Sequence, residues 1–361
     1  MSAPAFIAGQ RKLRRTRGFS LIELMVAMAL GLLVVSGIGW IYFGTMQTYR
    51  SHDALSRMQE GARHAFELIG SDLRMAGATG CGRDTRANVI AVSGDWYKNL
   101  FVQPIISFEK NALPGSGGDP LTEHSDALAV LHADLRREFI VQTHDIAAST
   151  FQLTEPSDLH DGELMVATNC SHAAVFQATT ASGITVMHAM SGTPGNVTPN
   201  LGANAAPYTF GAGSRLYRLS ASAYYVANNA AGTPSLFRKK PRGVDATPTA
   251  EELVEGVEDM QVSFGVDTTV PANGQTDFVD PDVDGIPYLT SAQVESTAVP
   301  GATVEERWAR VVSVRVSLLM RTVEDRVTST PQSYTYEGDT VVAPDLRVRK
   351  VFTHVVKLRN R

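Results

Sequence analysis

Residues 11–46 read RKLRRTRGFSLIELMVAMALGLLVVSGIGWIYFGTM, and this run sets the architecture of the chain. Five of the seven residues 11–17 are Lys or Arg, and more than twenty uncharged residues follow Glu23. A basic cluster directly before an apolar segment stays on the cytoplasmic side of a membrane. As a helix, residues 19–46 would span about 40 Å, which exceeds a bilayer core of about 30 Å. The sequence therefore predicts a single-pass anchor with its N-terminus inside and the rest of the chain outside.

The apolar run continues into a second pattern instead of ending at a cleavage site. A secretory signal would have an apolar region of about 7–15 residues followed by small residues. Here apolar residues recur at spacings of three and four through residues 47–76, which is typical of an amphipathic helix. The stripe consists of Leu55, Met58, Ala62, Phe66, Ile69 and Leu73. We therefore predict one helix from about Ser20 to Met75, membrane-spanning over 19–46 and amphipathic over 47–76.

Glu23 places a carboxylate four residues into the apolar helix. At the bilayer centre such a group costs roughly 2.5–3.5 kcal/mol or more, so it should have a partner or lie near the interface. The alternative is a carboxylate at the helix start, where the helix dipole stabilises it.

Residues 77–361 carry short β-like segments separated by Gly, Pro, Asn and Asp. This composition predicts a mostly antiparallel, β-rich globular domain packed on the helix, so the predicted fold class is α+β. Residues 312–318 alternate strictly and should bury Val and Leu on one face. The other predicted strands are 127–131, 139–142, 164–167, 174–177, 184–188, 215–219, 223–227, 261–266 and 352–358.

The chain has two cysteines, Cys81 and Cys170. In an exported chain they meet an oxidising compartment, so we expect a disulfide. Neither cysteine has a second Cys or a His at metal-ligand spacing, which argues against a metal site.

A local motif at 280–285 has the D-x-D-x-D-G opening of a calcium loop. Asp280, Asp282 and Asp284 could converge on Ca²⁺, with Asp277 and Glu295 supplying further oxygens. Position twelve of such a loop would be Ser291 instead of a bidentate Glu. The alternative, an acidic turn whose Asp and Gly serve the backbone geometry, is slightly favoured.

Enzyme motifs are missing from the sequence. It has no G-x-S-x-G, no H-E-x-x-H and no phosphate-binding Gly-Lys loop, and its nine histidines are scattered. His132 and His354 lie in strand-like segments and are interpreted as structural. We therefore predict a protein that is not an enzyme and has no certain cofactor.

Gly18-Phe19-Ser20-Leu21-Ile22-Glu23-Leu24, preceded by basic residues, resembles the prepilin signal of type IV pilins and pseudopilins. The resemblance implies that a prepilin peptidase cleaves between Gly18 and Phe19 and methylates the new amine of Phe19. Residues 1–18 are then a cytoplasmic leader that is removed. The resemblance also implies that the Glu23 carboxylate pairs with the amine of a neighbouring subunit as a filament assembles, which is consistent with two charges lacking other partners in a low-dielectric bundle.

Removal of the leader changes the formal net charge from −5 to −10, because residues 1–18 hold five positive and no acidic residues. Binding to nucleic acid is therefore not expected. The C-terminus is a basic exception, and a solvated strand face is favoured there over a nucleic-acid patch. The basic residues are Arg347, Arg349, Lys350, Lys357, Arg359 and Arg361.

Four further blocks, residues 72–81, 257–267, 314–321 and 349–361, are similar to PilW-type minor pilins. This resemblance implies a low-copy subunit of a tip or priming complex that initiates pilus assembly and so serves adhesion and twitching motility. The implied partners are other minor pilins, the major pilin, the inner-membrane assembly platform and a large tip adhesin. The implied location is the inner membrane before assembly and then the pilus, periplasmic to extracellular.

Two alternatives remain open. A type II secretion pseudopilin shares the signal and the long helix, although the C-terminal blocks favour the pilus. A DNA-uptake pilin is disfavoured by the acidic mature chain.

Overall fold

The computed structural model describes residues 20–81, 85–91, 96–98, 100–101, 103–111, 113, 124–202, 207–242, 247–275, 288–296 and 299–359. The chain divides into two compact units, Met1–Asp53 and Ala54–Arg361.

The predicted N-terminal helix is present as α1, Leu21–Met75, with 55 residues. It begins directly after Ser20, whose side chain accepts a hydrogen bond from the backbone N–H of Glu23. It stops before Gly77, whose φ of 71° lies in the left-handed region that commonly ends helices. The Gly77 N–H donates to the carbonyl of Leu131, 2.9 Å away, so the chain leaves the helix against the β-rich domain.

The β-rich domain is built on one large sheet, which has twelve strands within the described residues. Its pairings are antiparallel except that of β1 with β7. The strands are β1 Thr85–Asn88, β2 Ile105–Phe108, β3 Ala127–Ala133, β4 Phe139–Asp145, β5 Thr150–Leu153, β6 Leu164–Thr168, β7 His172–Gln177, β8 Thr180–Ser182, β9 Thr185–Met187, β10 Arg215–Asn228, β11 Pro234–Arg242 and β12 Thr247–Glu255.

A second sheet has the order β13-β14-β17, and a separate hairpin joins β15 to β16. Their bounds are β13 Val257–Val266, β14 Val311–Arg321, β15 Ser333–Tyr336, β16 Asp339–Val342 and β17 Arg349–Lys357. Two short helices, α2 Ser291–Val294 and α3 Val304–Trp308, precede β14.

The C-terminal half of α1 packs on the three-stranded sheet. On the helix, the buried positions of the predicted amphipathic stripe belong to the same core cluster as Val314, Val316 and Leu318 of β14. The helix residues in this cluster are Met58, Ala62, Ala65, Ile69 and Leu73. The α+β prediction is therefore confirmed: a long helix packs on a mostly antiparallel β-rich domain.

The opposite face of β14 is polar but also buried. Ser313 and Ser317 are only 5% and 6% exposed. The sequence alternation correctly identified the apolar face, but it did not show that the polar face is covered too.

The two cysteines form a disulfide, as expected. Cys81 follows the end of α1, and Cys170 lies in the turn between β6 and β7. The bridge ties the segment after the helix to the large sheet.

Candidate functional site

The first half of α1 presents a continuous apolar surface. Its large apolar side chains from Leu21 to Tyr49 are exposed, with Trp40 at 84% and Phe43 at 73%. None of the most apolar stretch of α1 is buried, so by length and composition this helix could cross a membrane. An exposed apolar surface of this extent marks a membrane or protein interaction site.

The hydroxyls of Ser36, Thr45 and Thr48 in this segment are satisfied by the helix itself. The hydroxyl of Ser36 donates to the carbonyl of Leu32 at 2.7 Å, and that of Thr45 donates to the carbonyl of Ile41 at 2.8 Å. A side-chain hydroxyl that donates to a carbonyl of the preceding turn does not need a hydrogen-bond partner from outside the helix. The helix surface therefore remains apolar despite its hydroxyl residues.

Four glycines on the same helix leave room for a neighbour. A Cβ atom at Gly31, Gly37, Gly39 or Gly44 would meet no other heavy atom within 4 Å, apart from the helix's own nearby backbone. Small residues at helix interfaces in membranes allow backbones to approach closely. The glycines therefore offer packing positions for another helix.

Glu23 forms a reciprocal capping box with Ser20. The Ser20 N–H donates to Glu23 Oε2 at 2.9 Å, and the Glu23 N–H donates to the Ser20 hydroxyl at 3.2 Å. The carboxylate is exposed, and its Oε1 accepts no hydrogen bond from the described residues. One carboxylate oxygen therefore remains available to an external cation. Gly18 and Phe19 lie outside the described residues, so cleavage and methylation stay predictions.

The other end of α1 is fixed by a buried polar contact that the sequence did not reveal. The hydroxyl of Tyr224 on β10 donates to Asp72 Oδ2 at 2.8 Å, and Nε2 of His132 on β3 lies 3.7 Å from Oδ1. Burial alone would raise the pKa of Asp72, but interactions with His132, Ser222 and Tyr224 outweigh this effect and lower the pKa to about 2. The helix end is thus held by an ionised carboxylate, and His132 has a structural place, as interpreted.

A polar cleft of about 610 Å³ lies on the face of the three-stranded sheet that is opposite α1. Its floor includes Arg315, whose Nε donates to the Ser263 hydroxyl at 2.9 Å and whose guanidinium lies 4.7 Å from the Tyr288 ring centre. At its wall, the Asp126 carboxylate accepts hydrogen bonds from the N–H groups of Val262 (3.0 Å) and Lys110 (3.4 Å). Burial raises the pKa of Asp126 to about 6, although these two hydrogen bonds oppose the shift.

The predicted calcium ligands Asp280, Asp282 and Asp284 lie outside the described residues. Among the residues that are described, no group of three or more His, Cys, Asp or Glu side chains is arranged to hold a metal ion. The calcium loop therefore stays a prediction from sequence.

Two parts of the chain match known families. Residues 13–39 match the prokaryotic N-terminal methylation motif. Residues 223–360, which run from β10 to the end of the second sheet, match the family described as Type IV Pilus-assembly protein W.

One curated relative adds to this picture. Over 63 residues, or 17% of this chain, the sequence is 43% identical to the Pilin-like protein PilA3 of Thermus thermophilus. The match spans only 27% of that relative's length. No solved structure shows significant similarity to the chain.

Proposed function

We propose that this type IV pilin-like protein, which carries an N-terminal methylation motif and a PilW domain, is a low-copy minor pilin that primes pilus assembly near the filament tip. The observation that carries the proposal is the exposed apolar half of α1, which overlaps the methylation-motif match at residues 13–39 and leads into the domain that contains the PilW match. In this role the helix is a membrane anchor before assembly and a bundle element afterwards.

Processing prepares the helix for assembly. The prepilin peptidase cleaves between Gly18 and Phe19 and methylates the amine of Phe19. The basic residues 11–17 keep the leader in the cytoplasm, so the chain crosses the inner membrane once with its C-terminal domain outside.

Glu23 then sets the axial position of the helix. Its capping box with Ser20 uses one carboxylate oxygen and leaves the other for the ammonium of a neighbouring subunit. An ion pair gains strength in a low-dielectric helix bundle, where neither charge has water as a partner. The pair thereby favours insertion in one register.

The protein acts by packing and has no reaction of its own in this proposal. Its partners are other minor pilins, the major pilin and the inner-membrane assembly platform, with a tip adhesin held by the globular domains. Pili built in this way serve adhesion and twitching motility.

The proposal is tested by deleting the gene and restoring it on a plasmid. We expect the deletion strain to lose surface pili and twitching while type II secretion is unchanged, and the plasmid to restore both. Loss of secretion with normal pili would instead assign the chain to the pseudopilins, and no change in either would reject both roles.

The role of Glu23 is tested separately by Glu23→Ala and Glu23→Gln. Both variants should be cleaved normally, since the substitution lies beyond the cleaved bond, but both should enter filaments poorly because the charge is lost. Cleavage is read from the size of the membrane-bound chain and incorporation from sheared pili. Full incorporation of Glu23→Gln would contradict pairing by charge, because the amide keeps the capping hydrogen bond.

A further inference from the structure

Strand β17 leaves one edge of the second sheet open. Within the described residues it pairs with β14 alone. The N–H of Thr322 donates to the carbonyl of Val348 at 2.9 Å, and the N–H of Leu358 donates to the carbonyl of Val312 at 3.0 Å, so even-numbered residues at both ends of the strand point towards β14. Backbone groups of successive residues in a strand point to opposite sides. The odd-numbered residues of β17 therefore point outward.

The first outward position is already satisfied in the manner of an added strand. The Arg349 N–H donates to Gln332 Oε1 at 2.8 Å, and Gln332 Nε2 donates to the Arg349 carbonyl at 2.9 Å. A primary amide offers the same donor and acceptor as a peptide group. The Gln332 side chain thus occupies the place where the backbone of a neighbouring strand would begin.

Beyond Arg349 the outward backbone N–H and carbonyl groups make no hydrogen bond within the described part of the chain. Val351, Thr353, Val355 and Lys357 each present an N–H and a carbonyl along this edge. Val355 is 47% exposed in the middle of it. The described bounds of β17 contain no proline, which would block pairing at such an edge. They do contain Lys350 and Lys357, and charged residues at an edge oppose non-specific pairing.

The charges along the edge select the kind of strand that fits. Arg347 and Arg349 are neutralised by acidic neighbours within the chain. By contrast, Lys350, Lys357 and Arg359 are exposed and have no ion pair among the described residues. The whole chain is acidic, with a formal net charge of −5. Lys350 has a ring contact, since its ammonium lies 5.3 Å from the Phe352 ring centre. A basic edge without ion pairs on an acidic protein is complementary to an acidic partner.

We propose that the outer edge of β17 accepts an extended, acidic strand from the globular domain of a neighbouring pilin subunit. The added strand extends the second sheet to four strands and continues the pairing that Gln332 begins. Main-chain hydrogen bonds supply affinity in this mode, while side chains supply specificity. The proposal rests on the proposed function, because it assigns the contact surface of a subunit in a priming complex.

A second copy of this chain is the competing occupant. In the part of the chain that the structure describes, β12 pairs with β11 alone, and it carries Glu251, Glu252 and Glu255. All three carboxylates already have partners. Glu251 pairs with Arg238 at 3.0 Å, and the Asn229 side-chain amide donates to Glu252 at 2.9 Å and to Glu255 at 3.4 Å. A different subunit is therefore favoured, and the experiment separates the two.

The first test uses the full chain in its own cells, with a photo-activatable amino acid in place of Thr353. A control carries the same amino acid at Ile184, which lies in the turn between β8 and β9 of the large sheet and is 40% exposed. We expect cross-links from position 353 to an acidic segment of another protein that has a prepilin signal, at least tenfold above position 184. Cross-links to residues 247–255 of a second copy, or none to any pilin while the chain is present in pili, would overturn the proposal.

A backbone variant tests the hydrogen bonds directly. Val355→Pro removes one outward N–H and leaves the β14 pairing intact, whereas Val355→Thr keeps the N–H with a similar shape. We expect the proline variant to lose the cross-link from position 353 and the threonine variant to keep it, with both chains exported and disulfide-bonded. Equal cross-linking by both variants would contradict strand addition.

A charge variant gives a reading that does not depend on tolerance of proline. Lys350→Glu with Lys357→Glu should reduce the cross-link about tenfold, and the matched Lys→Gln pair should give an intermediate loss. No change in the Glu pair would reject the acidic partner. These results are distinguishable from failure of the proposed function, which is read from pili and twitching in the deletion strain.

Discussion

The carboxylate of Asp72 shows how a single polar contact fixes the junction between the helix and the sheet. Tyr224→Phe would remove the hydroxyl that donates to it at 2.8 Å and leave a buried charge with one donor fewer. We expect the free energy of unfolding to fall by about 1.5–3 kcal/mol, the value of a hydrogen bond to a charged group. Urea unfolding of the detergent-solubilised chain at pH 7 measures it.

Tyr208→Phe is the matched control for this substitution. It deletes the same atom where the hydroxyl makes no hydrogen bond within the described residues, so we expect a change of less than about 0.5 kcal/mol. An equal loss in the two variants would show that the Tyr224 hydroxyl does not support Asp72.

The pKa of Asp72 is lowered from an ordinary 3.8 to about 2. The stabilisation that the ionised Asp72 carboxylate gives to the fold is therefore present above pH 4 and is lost as the pH falls from 4 to 2.

Asp126 gives the opposite pH dependence. Its pKa is raised from 3.8 to about 6, so the folded protein holds this proton more tightly than the unfolded chain does. The contribution of Asp126 is most favourable below pH 4 and declines as the pH rises through 6. We expect the free energy of unfolding of the wild type to fall relative to that of Asp126→Asn as the pH rises over this interval. Urea unfolding at pH 4, 5, 6 and 7 measures the difference.

Thr328→Val is the control for the Asp126 experiment. The Thr328 hydroxyl donates a hydrogen bond to the Leu346 carbonyl at 3.0 Å, so the substitution removes a hydrogen bond between two groups that do not titrate. Its effect on stability should be the same at each pH. A pH-independent difference for Asp126→Asn as well would contradict the raised pKa.

Among the elements, the segment between α1 and the large sheet is held by the disulfide. Cys81 and Cys170 are 89 residues apart in sequence. Closing a loop of this length reduces the entropy of the unfolded chain and stabilises by about 4–5 kcal/mol in the loop-entropy model. We expect the double variant Cys81→Ser with Cys170→Ser to lose stability on this scale in urea unfolding.

Reduction of the wild type provides the comparison for the double serine variant. Dithiothreitol should lower the urea midpoint of the wild type to that of the variant and leave the variant unchanged. A wild type that contains free thiols by mass spectrometry under non-reducing conditions would contradict the bridge.

Gly80 allows the segment before Cys81 to approach the large sheet closely. A Cβ at this position would lie 2.5 Å from the Tyr217 ring, and the backbone has a φ of 88°.

The long helix and most strands of the central part were predictable because their signals are local. Apolar spacing fixed α1, and the prepilin-like motif drew attention to Glu23. The hairpin of β11 and β12 was missed, since residues 234–242 and 247–255 contain prolines and charges instead of alternation. Strand β11 is held by pairing with β10, and β12 by pairing with β11 and by contacts such as Arg238 with Glu251. Tertiary context therefore overrides local propensity here.

The same reasoning explains which parts of the site could be found from sequence. Glu23 and Ser20 are three residues apart and carry a recognisable capping pattern. Asp72 and Tyr224 are separated by 152 residues, and no local pattern announces their contact. The sequence also did not reveal that β17 is an edge strand, because only the complete strand pairing shows which strands lie at an edge. For the same reason, residues 215–219 and 223–227 were predicted as two strands although they belong to the single strand β10.

At the scale of the whole molecule, the chain divides into two compact units between Asp53 and Ala54. We infer that the first unit limits solubility in water and that the second unit folds without it. The first unit exposes apolar residues that need a membrane or other helices. The second keeps the buried helix positions Met58, Ala62, Ala65, Ile69 and Leu73 with the sheets they cover.

A chain that starts at Ala54 should therefore be a soluble monomer without detergent, with its disulfide intact. A chain that starts at Gly77 should aggregate, because it lacks the five helix side chains over Val314, Val316 and Leu318 and also lacks Asp72, the partner of the buried Tyr224 hydroxyl. Size-exclusion chromatography with light scattering in detergent-free buffer compares the two. Equal solubility of both chains would show that the second half of α1 is dispensable to the core, and aggregation of both would show that the first half is required for folding as well as for anchoring.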